Sequence, residues 1–124
     1  MSRTFIVGGA IGGFLSVALG AFGAHMLKDH LSPEMLQIFE TGVRYQMYHS
    51  LALFVVAWAV DKYISGLFSK AGWLFIAGIV IFSGSLYLLT LTGMRWFGAV
   101  TPIGGVAFLA GWACLAVGFW RSVE

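Results

Sequence analysis

The sequence predicts an all-α integral membrane protein, a four-helix bundle with an amphipathic helix leading into the second span. First, 60% of the 124 residues are hydrophobic and only 10% are charged, whereas a soluble domain carries about 25% charged residues. Second, the apolar residues form four long stretches separated by short polar connections. Third, glycines recur at helical spacing in the first and last stretches. The length indicates one transmembrane domain, residues 1–124.

The apolar stretches predict spans at about residues 5–24, 45–60, 71–91 and 98–120. Arg3 and the apolar run after it resemble the start of a signal peptide, but the run reaches Ala24, so we expect a retained span. Four spans put both termini on one side. That side holds a small excess of Lys and Arg, which favours cytoplasmic termini in a bacterial inner membrane. The terminal side has Arg3, Lys62, Lys70 and Arg121, and the other side has Lys28, Arg44 and Arg95.

Several classes of function lack the residues they need. The net charge of +2 is small and scattered, so no nucleic-acid partner is expected. Cys114 is the single cysteine, so it forms no internal disulfide and no thiolate metal site alone. The run Gly8–Gly13 matches a glycine-rich fingerprint only superficially, because no strand precedes it. No nucleophile motif is present. We therefore predict a protein that is not an enzyme and has no cofactor.

Small residues form one stripe on the first span and another on the fourth. In lipid, such residues let helix backbones approach closely, so both spans are expected to pack closely. Contact between copies in a homo-oligomer, or a groove the width of a lipid chain, are the alternatives for the first stripe. The helix-packing residues predicted in this way are Gly8, Gly12, Ser16, Gly20, Gly104, Gly111 and Gly118.

A helix start is predicted at Ser32-Pro33-Glu34. Ser32 suits the N-cap, Pro33 the first turn and Glu34 the positive end of the helix dipole. The apolar side of residues 33–44 predicts an amphipathic helix at the membrane interface that continues into the second span.

The segment Phe39–Ser50 is the densest polar cluster of the chain. Helical spacing pairs Glu40 with Arg44 on one face, and Tyr45 with His49 on another. The first pair has three interpretations: a buried tie between this helix and the bundle, an anion or headgroup site aided by Tyr45, Gln46 and Tyr48, or interfacial side chains without a special role.

Three histidines invite a metal or haem interpretation, since imidazole binds zinc, copper and iron. However, His25, His30 and His49 form no motif with ligand spacing. We interpret His25 and His49 as hydrogen-bonded side chains and predict no metal site. Haem held between these two histidines is the alternative.

Four motifs in order resemble one bacterial family over nearly the whole chain. They are LGAFGAH (19–25), FETGVRYQMYHSLAL (39–53), FSGSLYLL (82–89) and TPIGGVAFLAGW (101–112). The chain resembles the domain-of-unknown-function family 423 of small membrane proteins, which is similar to the eukaryotic transmembrane protein 256. The resemblance implies a small multi-span inner-membrane protein and no particular activity.

The preferred hypothesis for function is the binding of a membrane lipid or other amphiphile at the polar cluster. The ligand-binding residues of this hypothesis are His25, Glu40, Arg44, Tyr45, Tyr48 and His49. One alternative is a small transporter or channel subunit that works as a homo-oligomer. Another is a scaffold or accessory subunit that docks through Trp73, Trp96 and Trp120.

Overall fold

A computed structural model describes residues 1–122, all but the last two residues of the predicted domain. Within that range the chain forms four long helices and no strand, which confirms the predicted all-α class. The helices are Ser2–His25, Pro33–Lys62, Gly66–Thr92 and Thr101–Ser122. The third helix contains a π-helical segment, Ile79–Ser83. Short 3₁₀ turns at Leu27–Asp29 and Arg95–Ala99 form part of two connections.

The second helix is continuous from the polar connection to the far end of the bundle. Ser32 caps it: its hydroxyl accepts a hydrogen bond from the Met35 amide at 3.2 Å, and Pro33 is the first helical residue. The predicted start is confirmed. Thirty residues make a helix about 45 Å long, whereas the hydrocarbon core of a bilayer is about 30 Å thick. We therefore expect the first turns of this helix to extend beyond the core and its later turns to cross it.

The other three helices are each long and apolar enough to cross a membrane: the first, the third, and the fourth with the 3₁₀ turn before it. Together with the second helix they make a multi-pass membrane bundle, as predicted. Neighbours along the chain run antiparallel, so the first and last residues of the described chain lie at the same end.

The first helix packs most closely on the second. A Cβ added at Gly9 would lie 2.8 Å from the carbonyl oxygen of Ser50, and one at Gly12 would overlap the Ser50 hydroxyl. Towards the polar connection, Gly23 lies against the ring of Phe39. Glycine is needed at Gly9 because the backbone of the second helix is too close for a side chain, and at Gly12 and Gly23 because side chains of the second helix fill the space.

The third and fourth helices meet through glycines and phenylalanines that both repeat every seven residues. Added Cβ atoms at Gly118 and Gly111 would lie 2.8 Å from Phe68 and 2.7 Å from Phe75. At Gly104 the neighbour is backbone, and the added atom would lie 2.8 Å from the Cα of Phe82. The stripe on the fourth helix thus receives two rings and one stretch of backbone of the third, and the stripe on the first faces the second helix.

A buried polar network joins the first three helices. Gln46, which is 4% exposed, donates from Nε2 to the carbonyl of Gly12 at 2.9 Å and accepts at Oε1 from the Tyr87 hydroxyl at 2.7 Å. Ser83 donates to the carbonyl of Gly42 at 2.7 Å. Inside a bilayer an unpaired polar group is costly, so these bonds fix how the second and third helices face each other.

The closest backbone contact gives a test with a control at the adjacent residue. Gly104→Ala is expected to destabilise the protein by about 1–3 kcal/mol, because the new methyl group meets backbone that cannot move aside. Gly105→Ala should leave stability unchanged or raise it, because its Cβ would have only Phe82 Cδ2 nearby, at 3.9 Å. Thermal unfolding in detergent, followed by circular dichroism, compares the two. Equal effects would contradict the packing described here.

The Gln46–Tyr87 bond gives a second test. Gln46→Leu and Tyr87→Phe are each expected to cost about 1–3 kcal/mol, because each leaves a polar partner unpaired. The double variant should lose less than the sum of the two, since neither partner then remains. Unfolding free energies of the four proteins in one detergent measure the coupling. Strict additivity would show that the hydrogen bond contributes nothing.

Candidate functional site

The polar cluster of the second helix divides among three directions. Glu40 and Arg44 lie on its surface, Gln46 and Ser50 face the first helix and the buried network, and Tyr45 and His49 face the fourth helix. The rings of Tyr45 and His49 lie 6.2 Å apart and nearly parallel, as expected for one helical turn.

The Glu40–Arg44 pair forms, but it is not buried. The two charged groups lie 3.8 Å apart, and the side chains of Arg44 and Glu40 are 56% and 47% exposed. The interpretation as a buried tie is therefore wrong, because neither side chain is enclosed between helices. An exposed pair of this kind contributes little stability, on the order of 0–1 kcal/mol. Both charged groups remain accessible at the end of the bundle that holds the polar connection.

Two other residues lie away from this surface. Gln46, expected to help orient an anion, has both ends of its amide bonded inside the bundle, so that expectation is wrong. His25 is exposed in the last turn of the first helix, where a basic side chain suits the negative end of the dipole. Within residues 1–122, no three His, Cys, Asp or Glu side chains are grouped so that they could hold a metal ion.

His49 is the buried polar residue between the second and fourth helices, and it is 4% exposed. The indole N–H of Trp112 donates to its Nε2 at 3.0 Å. Its Nδ1 lies 2.6 Å from the carbonyl oxygen of Tyr45. Because an indole nitrogen only donates and a carbonyl only accepts, the imidazole is neutral and carries its proton on Nδ1. The ring lies flat on Phe108, with centroids 3.6 Å apart and an angle of 8° between planes.

A cavity of about 620 Å³ opens beside His49, between the second and fourth helices. This His49 cavity is walled by aromatic side chains and by small or aliphatic residues of the fourth helix. Its lining is Tyr45, Tyr48, His49, Phe82, Pro102, Gly105, Val106, Phe108, Leu109 and Trp112. Within residues 1–122, no hydrogen bond engages the hydroxyls of Tyr45 and Tyr48. The cavity thus offers an apolar volume lined by two tyrosines whose hydroxyls have no partner within residues 1–122.

The structure therefore groups three of the six predicted ligand-binding residues in one cavity, Tyr45, Tyr48 and His49. His25, Glu40 and Arg44 do not line it. Sequence reasoning missed Trp112 and Phe108 as partners of His49. The available signal was a tryptophan on the fourth span opposite the glycine stripe, but apolar neighbours on every side of a span hide which of them meets a histidine 63 positions away.

The bond between Trp112 and His49 can be tested by removing only its donor. Trp112→Phe keeps a large aromatic ring and leaves Nε2 without a partner, so we expect a loss of about 1–3 kcal/mol. Trp120→Phe is the matched control, because Trp120 is 77% exposed. Thermal unfolding measures stability, and nitrogen NMR of labelled histidine reads the tautomer in the unaltered protein. A proton on Nε2 would contradict the assigned geometry.

Comparisons with known proteins agree on a single family. The family model described as "Protein of unknown function (DUF423)" matches residues 19–105. The membrane protein YwdK of Bacillus subtilis is 53% identical over 117 residues, 93% of this chain and 94% of that protein. A membrane protein of Staphylococcus epidermidis is 49% identical over 115 residues, 93% of each chain. The inner membrane protein YgdD of Escherichia coli K12 is 45% identical over 120 residues, 97% of this chain and 92% of that protein.

These relatives all carry the family name UPF0382, and their printed names give no activity. No solved structure matches the chain. The resemblance expected from the four motifs is confirmed: the chain belongs to the DUF423 family of membrane proteins, also named UPF0382, whose function is not assigned.

Proposed function

We propose that this membrane protein binds an amphiphile, whose apolar part occupies the His49 cavity and whose polar end points towards Arg44. The observation that carries the proposal is the cavity itself, an apolar volume of about 620 Å³ between the second and fourth helices. Binding sites for small molecules have this character: volumes of about 300–1,000 Å³, largely apolar walls and a few polar groups that orient the ligand.

The cavity is open to lipid. Val106 and Leu109 on its rim are 64% and 71% exposed, and both lie in a helix that crosses the membrane. An amphiphile can therefore enter sideways from the bilayer without passing through water. Deeper in the wall, His49 and Phe108 are buried and held by the contacts described above, so the cavity does not depend on loose side chains.

The position of the cavity along the membrane normal supports the orientation of the ligand. Pro102 of the lining is the second residue of the fourth helix, and Tyr45 lies in the first half of the second helix. Arg44 lies one helical turn before Tyr48, towards the polar connection. An elongated amphiphile can therefore place its apolar part beside Trp112 and reach the exposed guanidinium group at the interface.

The other grooves between helices fit this role less well. The groove between the first and third helices contains Gln46 and Tyr87, but these polar groups bond to each other. The groove along the first two helices is lined by apolar residues such as Phe14 and Leu51, with no polar group to orient a ligand. Only the His49 cavity among these three combines an apolar volume with unused hydroxyls.

Blocking the cavity tests the proposal. Gly105→Leu should fill it, because a Cβ there has only Phe82 Cδ2 nearby, at 3.9 Å, and retention of the copurified amphiphile should fall at least about tenfold. Gly13→Leu is the matched control, a glycine of the first helix with open space around its Cβ. Native mass spectrometry with lipid extraction compares the variants. Equal retention of the amphiphile by both variants, or an unaltered protein that carries no amphiphile, would contradict the proposal.

Arg44→Ala separates the polar end of the site from its apolar part within the same measurement. Since the Glu40–Arg44 pair is exposed, its loss should change the unfolding free energy by less than about 1 kcal/mol. Amphiphile retention should fall by more than this small stability change predicts. Parallel loss of stability and retention would assign Arg44 a structural role only.

A further inference from the structure

The wall of the His49 cavity has a chemistry of its own. Six of its ten lining residues carry rings: Tyr45, Tyr48, His49, Phe82, Phe108 and Trp112. From these walls we infer that the amphiphile has the chemistry of a prenylated quinone: the faces of its flat, uncharged, conjugated ring lie in the cavity, and the oxygen acceptors on the ring are the polar end that points towards Arg44. This inference rests on the proposed function and specifies the class of ligand at the same site. It concerns binding alone and includes no electron transfer.

The rings contact one another and make a continuous aromatic wall. The centroids of Tyr45 and Phe82 lie 4.8 Å apart, and those of Phe82 and Phe108 lie 5.3 Å apart. His49 lies on the other side of Phe108. Flat conjugated rings gain specific energy from stacked and edge-on contacts with such walls, beyond the burial of their area. A saturated chain gains only ordinary dispersion from them.

The groove between the first and third helices lacks the concentration of aromatic rings that the His49 cavity has. That groove is lined mainly by aliphatic side chains and glycines, and Tyr87 is its only ring. It suits the flexible chains of bulk lipid. Members of its aliphatic lining are Ile11, Leu15, Leu53, Ile76, Ile79 and Val80.

The buried part of the ligand has to be uncharged. The lining of the His49 cavity contains no Asp, Glu, Lys or Arg. His49 is neutral, since one ring nitrogen donates to the Tyr45 carbonyl and the other accepts from Trp112. A phosphate or ammonium group at this depth would lose its hydration without gaining an opposite charge. The ionic part of a phospholipid is thereby excluded from the cavity.

The hydrogen bonds of the lining indicate which polar groups the ring of the ligand should carry. The Trp112 N–H is already used by His49. Within residues 1–122, no hydrogen bond engages the hydroxyls of Tyr45 and Tyr48, and the two rings lie 5.6 Å apart. A hydroxyl can donate to a carbonyl or ether oxygen on a ligand ring. Oxygen acceptors on one edge of the ring therefore match these two hydroxyls, and an all-carbon ring offers them no acceptor.

Three probes with the same decyl tail separate the contributions: a decyl-substituted benzoquinone, decylbenzene and decylcyclohexane. Each is added to the purified full chain at a matched mole fraction in micelles, with a saturated phosphatidylglycerol as a further probe, and occupancy is read by native mass spectrometry. We expect the quinone to bind at least about tenfold more tightly than decylcyclohexane, with decylbenzene between them.

Two sets of variants localise the effect. The double variant Tyr45→Phe with Tyr48→Phe keeps both rings and removes both hydroxyls, so quinone affinity should fall roughly tenfold while decylbenzene affinity stays unchanged. Gly105→Leu should abolish binding of all three probes, and Leu109→Trp, on the exposed rim, is a second blocking variant should Gly105→Leu fail to fold. Gly13→Leu should bind as the unaltered protein does.

The outcomes distinguish this inference from the proposed function. Binding of decylcyclohexane or phosphatidylglycerol as tightly as the quinone, lost on blocking the cavity, overturns the ring assignment and leaves amphiphile binding intact. Quinone binding that is unchanged by both blocking variants overturns the site and both conclusions. No binding of any probe, with no amphiphile copurified, overturns both as well.

Discussion

Close approach of helix backbones at glycine is the constraint on which the bundle depends. Lipid tails are as apolar as the side chains of a span, so burial alone does not drive these helices together. Van der Waals contact between the helices drives their association instead, and glycine allows the closest approach of the backbones. On the fourth helix, Gly111 and Gly118 each receive one ring of the third, and Gly104 meets the backbone of Phe82. Because glycines and phenylalanines both repeat every seven residues, a shift in register would place every ring against a larger side chain.

Contacts alone would pair the helices without fixing how the two pairs face each other. That role belongs to Gln46, whose amide bonds the first helix at one end and the third at the other. Ser83 adds a second bond between the second and third helices. Ser83 lies in the π-helical segment, and the residue before it in the same segment, Phe82, is the one that contacts Gly104. The π-helical turn thus contacts the second helix on one face of the third helix and the fourth helix on another, at the same height.

The sequence was sufficient for the features that local chemistry decides. Ser32 and Pro33 start a helix by themselves, and apolar length makes a span. It was insufficient where the partner lies on another helix. The glycine stripe of the fourth helix was visible, but the phenylalanines that it contacts are three of 11, spread through spans in which every face is apolar. The π-helical segment contains no proline that would have predicted a distortion of the helix.

The same reasoning explains the candidate site. Glu40 and Arg44 drew attention because charged residues are rare in this chain. A charged residue that is rare in the sequence need not be buried, however, and this pair lies on the surface. The separate face of Tyr45 and His49 follows from helical spacing alone. What spacing cannot supply is Trp112, which turns His49 from a solitary imidazole into one with both nitrogens bonded.

The His49 cavity follows from how the helices pair. Because the second helix meets the first at glycines and the fourth meets the third, little contact remains for the second and fourth to share. Beside the cavity their gap is bridged by the hydrogen bond from Trp112 to His49 and by the stacking of His49 on Phe108. The indole has only one donor, and both imidazole nitrogens are already engaged, so these rings have few alternative arrangements. A wall fixed in this way need not be ordered by its ligand, and a site that is already formed spends less of its binding energy on organising itself. The contacts that hold the bundle together are therefore also the ones that shape the His49 cavity.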